Sequence, residues 1–80
     1  MPDLFKVNAF LNFYMKQYDF LEITFNYEIF SGWCRLFIYD KEKYSSYTGE
    51  FKGDSDYMSH INGAIIDFLA ERSLKDRIGV

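Results

Sequence analysis

A chain of 80 residues has room for one domain, spanning residues 1–80, and no more. Nine basic against 12 acidic side chains give a net charge of −3 and a pI near 4.9, which excludes the basic footprint of a non-specific nucleic-acid binder. Cys34 is the only cysteine, so no intrachain disulfide is available, and a thin core must rest on nine Phe, seven Tyr and one Trp.

Residues 3–18 read as a helix. Leu4, Val7, Leu11, Tyr14 and Tyr18 recur at steps of three and four, which places them on one stripe. Phe10 and Met15 widen that stripe, while Phe5 and Phe13 either extend the buried face or mark a second contact. Pro2 and Asp3 suit a helix start, because proline lacks the amide that would go unpaired there.

The period then changes. Leu21, Ile23, Phe25, Tyr27 and Ile29 alternate with Glu22, Thr24, Asn26 and Glu28, the pattern of a strand with one apolar face. Phe30-Ser31-Gly32 breaks it, with Gly32 able to take the positive φ of a tight hairpin. Residues 33–39 are apolar on both faces and suit a central strand. The charged run 40–43 reads as a turn, and residues 44–51 as a third strand.

Asp54 or Ser55 caps a second helix whose buried stripe is Met58, Ile61, Ile65, Phe68 and Leu69, ending near Arg72. Arg72 there complements the helix dipole, and Gly63 offers close approach to the sheet. Residues 73–80 read as an extra turn, with Ser73 and Asp76 at capping-box spacing, or as a tail that tucks in Leu74 and Ile78. The expected fold class is α+β: a three-stranded antiparallel meander with an N-terminal and a C-terminal helix on one face, αβββα.

Alternation assigns the faces. A four-residue loop at 29–32 pairs Tyr27 with Cys34, Phe25 with Leu36 and Ile23 with Ile38, an apolar set that belongs under the helices. A loop at 40–43 pairs Tyr39 with Tyr44, Phe37 with Ser46, Arg35 with Thr48 and Trp33 with Glu50. Both turns leave Trp33, Arg35, Phe37, Tyr39 and Tyr44 pointing away from the helices, beside Glu22, Glu28 and Glu50. Aromatics with an arginine and a polar rim are the composition of a docking surface. Asp54 and Asp56, with Glu50, form an acidic edge that offers a second contact.

Catalytic chemistry has little to work with. His60 is the only histidine and falls on the second helix, Cys34 falls on the inner face, and no G-x-S-x-G nucleophile turn is present. One Cys and one His cannot build a structural zinc site, and the glycines form no phosphate-binding loop, so neither a metal nor a cofactor is expected. The order helix–strand–strand–strand–helix resembles the layout of double-stranded-RNA-binding domains. Their second helix opens with lysines that meet phosphates, whereas Gly53-Asp54-Ser55-Asp56-Tyr57 is acidic, and the shared layout implies nothing about function.

The expectation is a non-enzymatic protein-binding domain. It would act as an inhibitor or modulator of a larger protein such as a nuclease or a defence complex, in the manner of small proteins encoded by phages and mobile elements. Its contacts would be Trp33, Arg35, Phe37, Tyr39, Tyr44, Glu50, Asp54 and Asp56. Two alternatives use the same face: a single-stranded nucleic-acid binder that stacks bases, disfavoured by the acidity, and a structural homodimer subunit. With no signal peptide or membrane-length apolar run and one unpaired cysteine, the chain reads as a whole cytoplasmic protein.

Overall fold

Five elements follow in the order that periodicity predicts, in a computed structural model that describes residues 1–54 and 56–77: α1 (Leu4–Gln17), β1 (Leu21–Glu28), β2 (Trp33–Asp40), β3 (Ser45–Lys52) and α2 (Tyr57–Arg77). The three strands form one antiparallel sheet in the order β1-β2-β3. Val7 and Leu11 of α1, Leu21 and Ile23 of β1, Leu36 and Ile38 of β2, and Ile61 and Ile65 of α2 form a single buried cluster. All the strand residues in it lie on one face, so both helices cover the same side of the sheet and no described helix covers the other.

Asp3 caps α1, its carboxylate accepting the Lys6 amide at 3.1 Å. The buried stripe begins at Val7 and not, as the spacing suggests, at Leu4, which is exposed. Pro2 is buried instead and packs against Gly53. Phe5 and Phe13 do not extend the core; both rings stand in solvent.

The β1–β2 register is the expected one, from Leu21 opposite Asp40 to Glu28 opposite Trp33. Gly32 closes that turn at φ +77°, a conformation costly for any residue with a Cβ. The β2–β3 register differs from expectation by two residues: Trp33 faces Lys52, Arg35 faces Glu50, Phe37 faces Thr48 and Tyr39 faces Ser46. The cause is Asp40. Its Oδ1 accepts the amides of Glu42 and Lys43 at 2.9 and 3.0 Å, and its carbonyl accepts the Tyr44 amide at 2.9 Å. These bonds place the loop after Asp40, so β2 runs one residue further and β3 starts at Ser45. A shift of two preserves every side chain's face.

Among the described residues Asp40 is the buried polar one, with no exposed surface. Its Oδ2 accepts Arg72 Nε at 2.7 Å. The same guanidinium donates to Glu42 and lies 3.7 Å from the Phe20 ring centroid. Arg72 therefore does more than complement a dipole. It joins α2 to the β2–β3 turn and to Phe20, the residue that enters β1.

The second helix outruns expectation. It continues past Arg72 to Arg77, so residues 73–77 do not fold across the open face; the suggested burial of Ile78 lies outside the described residues, as does a cap at Ser55. Gly63 does not mediate close approach, since a Cβ there would meet no atom within 4 Å. Gly53 does: a Cβ would lie 2.8 Å from Tyr27 and 3.1 Å from Pro2.

Arg72→Met strands a buried carboxylate and is expected to lower unfolding free energy in urea by on the order of 3 kcal/mol. Arg35→Ala breaks an exposed pair and should stay within about 0.5 kcal/mol of the parent. Equal losses would show that Arg72 is no more than a surface ion. Gly53→Ala should cost roughly 1–3 kcal/mol in the same assay, because neither the Tyr27 ring nor the proline ring can give way freely.

Candidate functional site

The outward face is built from alternate residues of the central strand. Trp33 and Phe37 keep 42% and 38% of their surface exposed, and Tyr39 is half-buried. Their cross-strand neighbours are small or polar: Thr24 and Thr48 flank Phe37, Glu22 and Ser46 flank Tyr39, Glu28 and Lys52 flank Trp33. Phe37 and Tyr39 stack nearly parallel, with centroids 6.4 Å apart and planes at 10°. Arg35 lies between Trp33 and Phe37 in the row, its guanidinium 3.4 Å from Glu50 Oε2. Lys52 places its ammonium 5.0 Å from the Trp33 ring centroid. The strand thus presents a row of rings with two cations held at defined places.

Five of the sequence-derived contact residues, Trp33, Arg35, Phe37, Tyr39 and Glu50, come together on this face. Tyr44 does not join them. It sits in the β2–β3 turn at φ +55°, with its side chain largely in solvent, because Asp40 displaces the loop by one residue. Asp54 and Asp56 are exposed at the entrance to α2, where the Asp56 amide donates to Asp54 Oδ1 at 3.1 Å. Lys52 belongs to the face and was hidden from sequence reasoning by the same two-residue shift.

The β1–β2 tip adds a feature that alternation does not reveal. Glu28 folds its carboxylate over the turn and accepts the amides of Phe30 and Ser31, at 3.0 Å to Phe30 and 3.3 Å to Ser31. The Gly32 amide donates to the Glu28 carbonyl at 2.9 Å, and the Trp33 amide donates to Ser31 Oγ at 3.3 Å. The turn is therefore locked, and it holds Phe30 with 96% of its surface exposed, beside exposed Ile29. The available signal was an apolar pair inside a loop too short to bury it.

Two grooves border these elements. An open one of about 720 Å³ runs beside the tip, lined by Asn26, Glu28, Ser31, Trp33, Arg35 and Glu50. Another, of about 470 Å³, lies between α2 and β3 at the far end of the sheet, with Tyr47, Ala64 and Phe68 on its walls and Lys43, Glu71 and Lys75 around it.

Cys34 is buried on the inner face. Burial pushes its thiol up, the Asp54 carboxylate adds to the rise, and the N-terminal ammonium opposes it. His60 stacks on Phe51, with centroids 5.0 Å apart. Among the described residues no group of three or more His, Cys, Asp and Glu is placed to hold a metal ion, and no helix is long and apolar enough to cross a membrane. Comparison with protein-family models, with curated proteins and with solved structures finds no match to this chain.

Cys34 should resist a disulfide reagent in the native protein and label only as fast as the chain opens, a rate read from thiol release. The native thiol holds its proton to higher pH than the unfolded one. Stability should therefore fall as pH rises from the unfolded thiol's value, about 8.5, toward the native one, and Cys34→Ala should flatten that part of the curve.

Proposed function

We propose that this chain is a non-enzymatic protein-binding module that acts by occupying a surface of a larger protein through its outward sheet face. The observation that carries the reading is the ordered row Trp33, Arg35, Phe37 and Tyr39 on the central strand, left uncovered while both helices lie on the other side. Exposed aromatics on a rigid strand can be desolvated by a partner with little loss of side-chain freedom, and such residues dominate measured interface energies. Arg35, held by Glu50, supplies a directional contact within the row. Asp54 and Asp56 at the entrance to α2 provide a flanking acidic contact.

The finer reading is an inhibitor or modulator of a nuclease or defence complex, of phage or mobile-element type and working in the cytoplasm. Its support is compositional: a small acidic chain, rich in aromatics, Asn, Lys and Ile. The second reading, base stacking of a single strand on the same rings, is supported by the Phe37–Tyr39 pair and by Lys52 and Arg35, and opposed by the net charge of −3.

Affinity capture from the native host lysate, with mass spectrometry, should return a partner that the double variant Trp33→Ala, Phe37→Ala fails to hold although its unfolding curve stays close to the parent's. Each truncation should cost about 2 kcal/mol of partner affinity. Undiminished affinity in the double variant would remove the sheet face as the site. Titration with oligonucleotides at low salt should show no binding; tight, salt-sensitive binding would favour the base-stacking reading instead.

A further inference from the structure

The sheet has two edges, and they are not alike. At the β1 edge the outward amides of Leu21 and Ile23 are taken up by α1 and its cap, donating to the Tyr18 carbonyl at 2.9 Å and to Met15 Sδ at 3.4 Å. The β3 edge is different. The Gly53 amide donates to the Gly32 carbonyl at the start of the β2 side, so the odd-numbered residues of β3 bond to β2 and the amides of Ser46, Thr48, Glu50 and Lys52 point outward. Among the described residues those amides have no hydrogen-bond partner. The edge also lacks the usual guards. Its eight residues pair with β2 without a bulge and include no proline, and its charges turn back over the sheet, Glu50 to Arg35 and Lys52 to Trp33. We infer that two copies of this chain pair through this edge, β3 of one antiparallel to β3 of the other, with Thr48 on the two-fold axis.

An unpaired edge selects an extended backbone as its occupant, because only a strand offers donors and acceptors at the matching spacing. The side chains of β3 select a second copy of themselves. With Thr48 opposite Thr48, the outward row sets Ser46 against Glu50 and Lys52 against Tyr44, so no charge meets its like. The inner row sets Tyr47 against Gly49 and Phe51 against Ser45, a large group against a small one at each place. Tyr47 keeps 43% of its surface exposed and so has area left to bury. Moving the axis to Gly49 opposes Tyr47 to Phe51 and glycine to glycine, and moving it to Glu50 opposes two carboxylates. Placing it between residues sets outward amides against inward ones and loses the ladder. The pair consumes both β3 edges and leaves only β1 edges at its ends, where α1 holds the Leu21 and Ile23 amides, so association closes at two copies. The two sheets become one, with the helices on one side and both aromatic rows on the other. The inference therefore needs no binding role for those rows. A strand pair alone buries less than a standard interface, so the pair populates at high concentration.

Sedimentation from about 10 μM to about 1 mM follows the pairing. The weight-average mass should climb toward double the 9.6 kDa of one chain and stop there. Over the same range the Ser46, Thr48 and Glu50 amides should slow in hydrogen exchange by about tenfold, while Phe25 and Tyr27 at the other edge exchange unchanged. Thr48→Pro removes an amide that β2 does not use, so the chain should keep its unfolding curve and lose pairing. Thr48→Lys and Thr48→Glu, at an exposed position, should each weaken pairing by about fivefold, because like charges then meet on the axis. An equal mixture of the two charged variants should pair again, lysine facing glutamate. Trp33→Ala with Phe37→Ala should pair as the parent does. A mass that stays constant or climbs past two copies, pairing that survives Thr48→Pro or fails in the Trp33, Phe37 double variant, or charged variants that pair no better mixed than alone would each overturn the inference. So would a chain that stays monomeric and gains edge protection only from a synthetic peptide of alternating Thr and Val, since β3 would then take a foreign strand.

Discussion

The Asp40–Arg72 pair is the constraint on which the arrangement of the remaining parts depends. A carboxylate with no exposed surface needs every lone pair directed, and Asp40 spends one oxygen on two turn amides and the other on the guanidinium. The first oxygen sets where β2 ends and hence which β3 residue meets each β2 residue. The second ties α2, through Arg72 in its C-terminal half, to that same strand end. Glu42 and the face of Phe20 complete the surroundings of Arg72, so three parts of the chain far apart in sequence meet at one planar cation.

The open face follows from that arrangement. With α1 and α2 both on the inner side, the even-numbered β2 residues Cys34, Leu36, Ile38 and Asp40 are buried, and no described helix lies over the odd-numbered ones. The rings there are steadied by each other and by long side chains: Phe37 by Tyr39, Trp33 by the Lys52 ammonium. An aromatic row braced in this way on a central strand has its geometry held by the fold itself.

Much of this was legible in the residues themselves. Alternation from Leu21 to Glu28 and again through β2 assigned the two faces, and the stripe around Ile61 and Ile65 located α2. What alternation cannot register is a side chain bonding to its own backbone. Asp40 looked like one more charge in a charged turn, and that misreading alone displaced Tyr44 onto the face and concealed Lys52. The faces survived because the error was an even number of residues. Arg72 was likewise read by its position in a helix, when its distance from Asp40, 32 residues along the chain, was the informative quantity. Phe30 escaped because loop residues carry no period to violate.

The two ends of β2 are built to different rules. At one end, Asp40, Arg72 and Phe20 satisfy one another, and a change in any of them must be answered by the others. At the opposite end, Phe30, Trp33 and Lys52 are exposed, and the fold lets each be exchanged singly. A lineage carrying this chain can therefore diverge quickly around the hairpin while the clamp stays frozen, so that descendants would be recognisable by a distant aspartate–arginine–phenylalanine trio long after their aromatic surfaces had ceased to look alike.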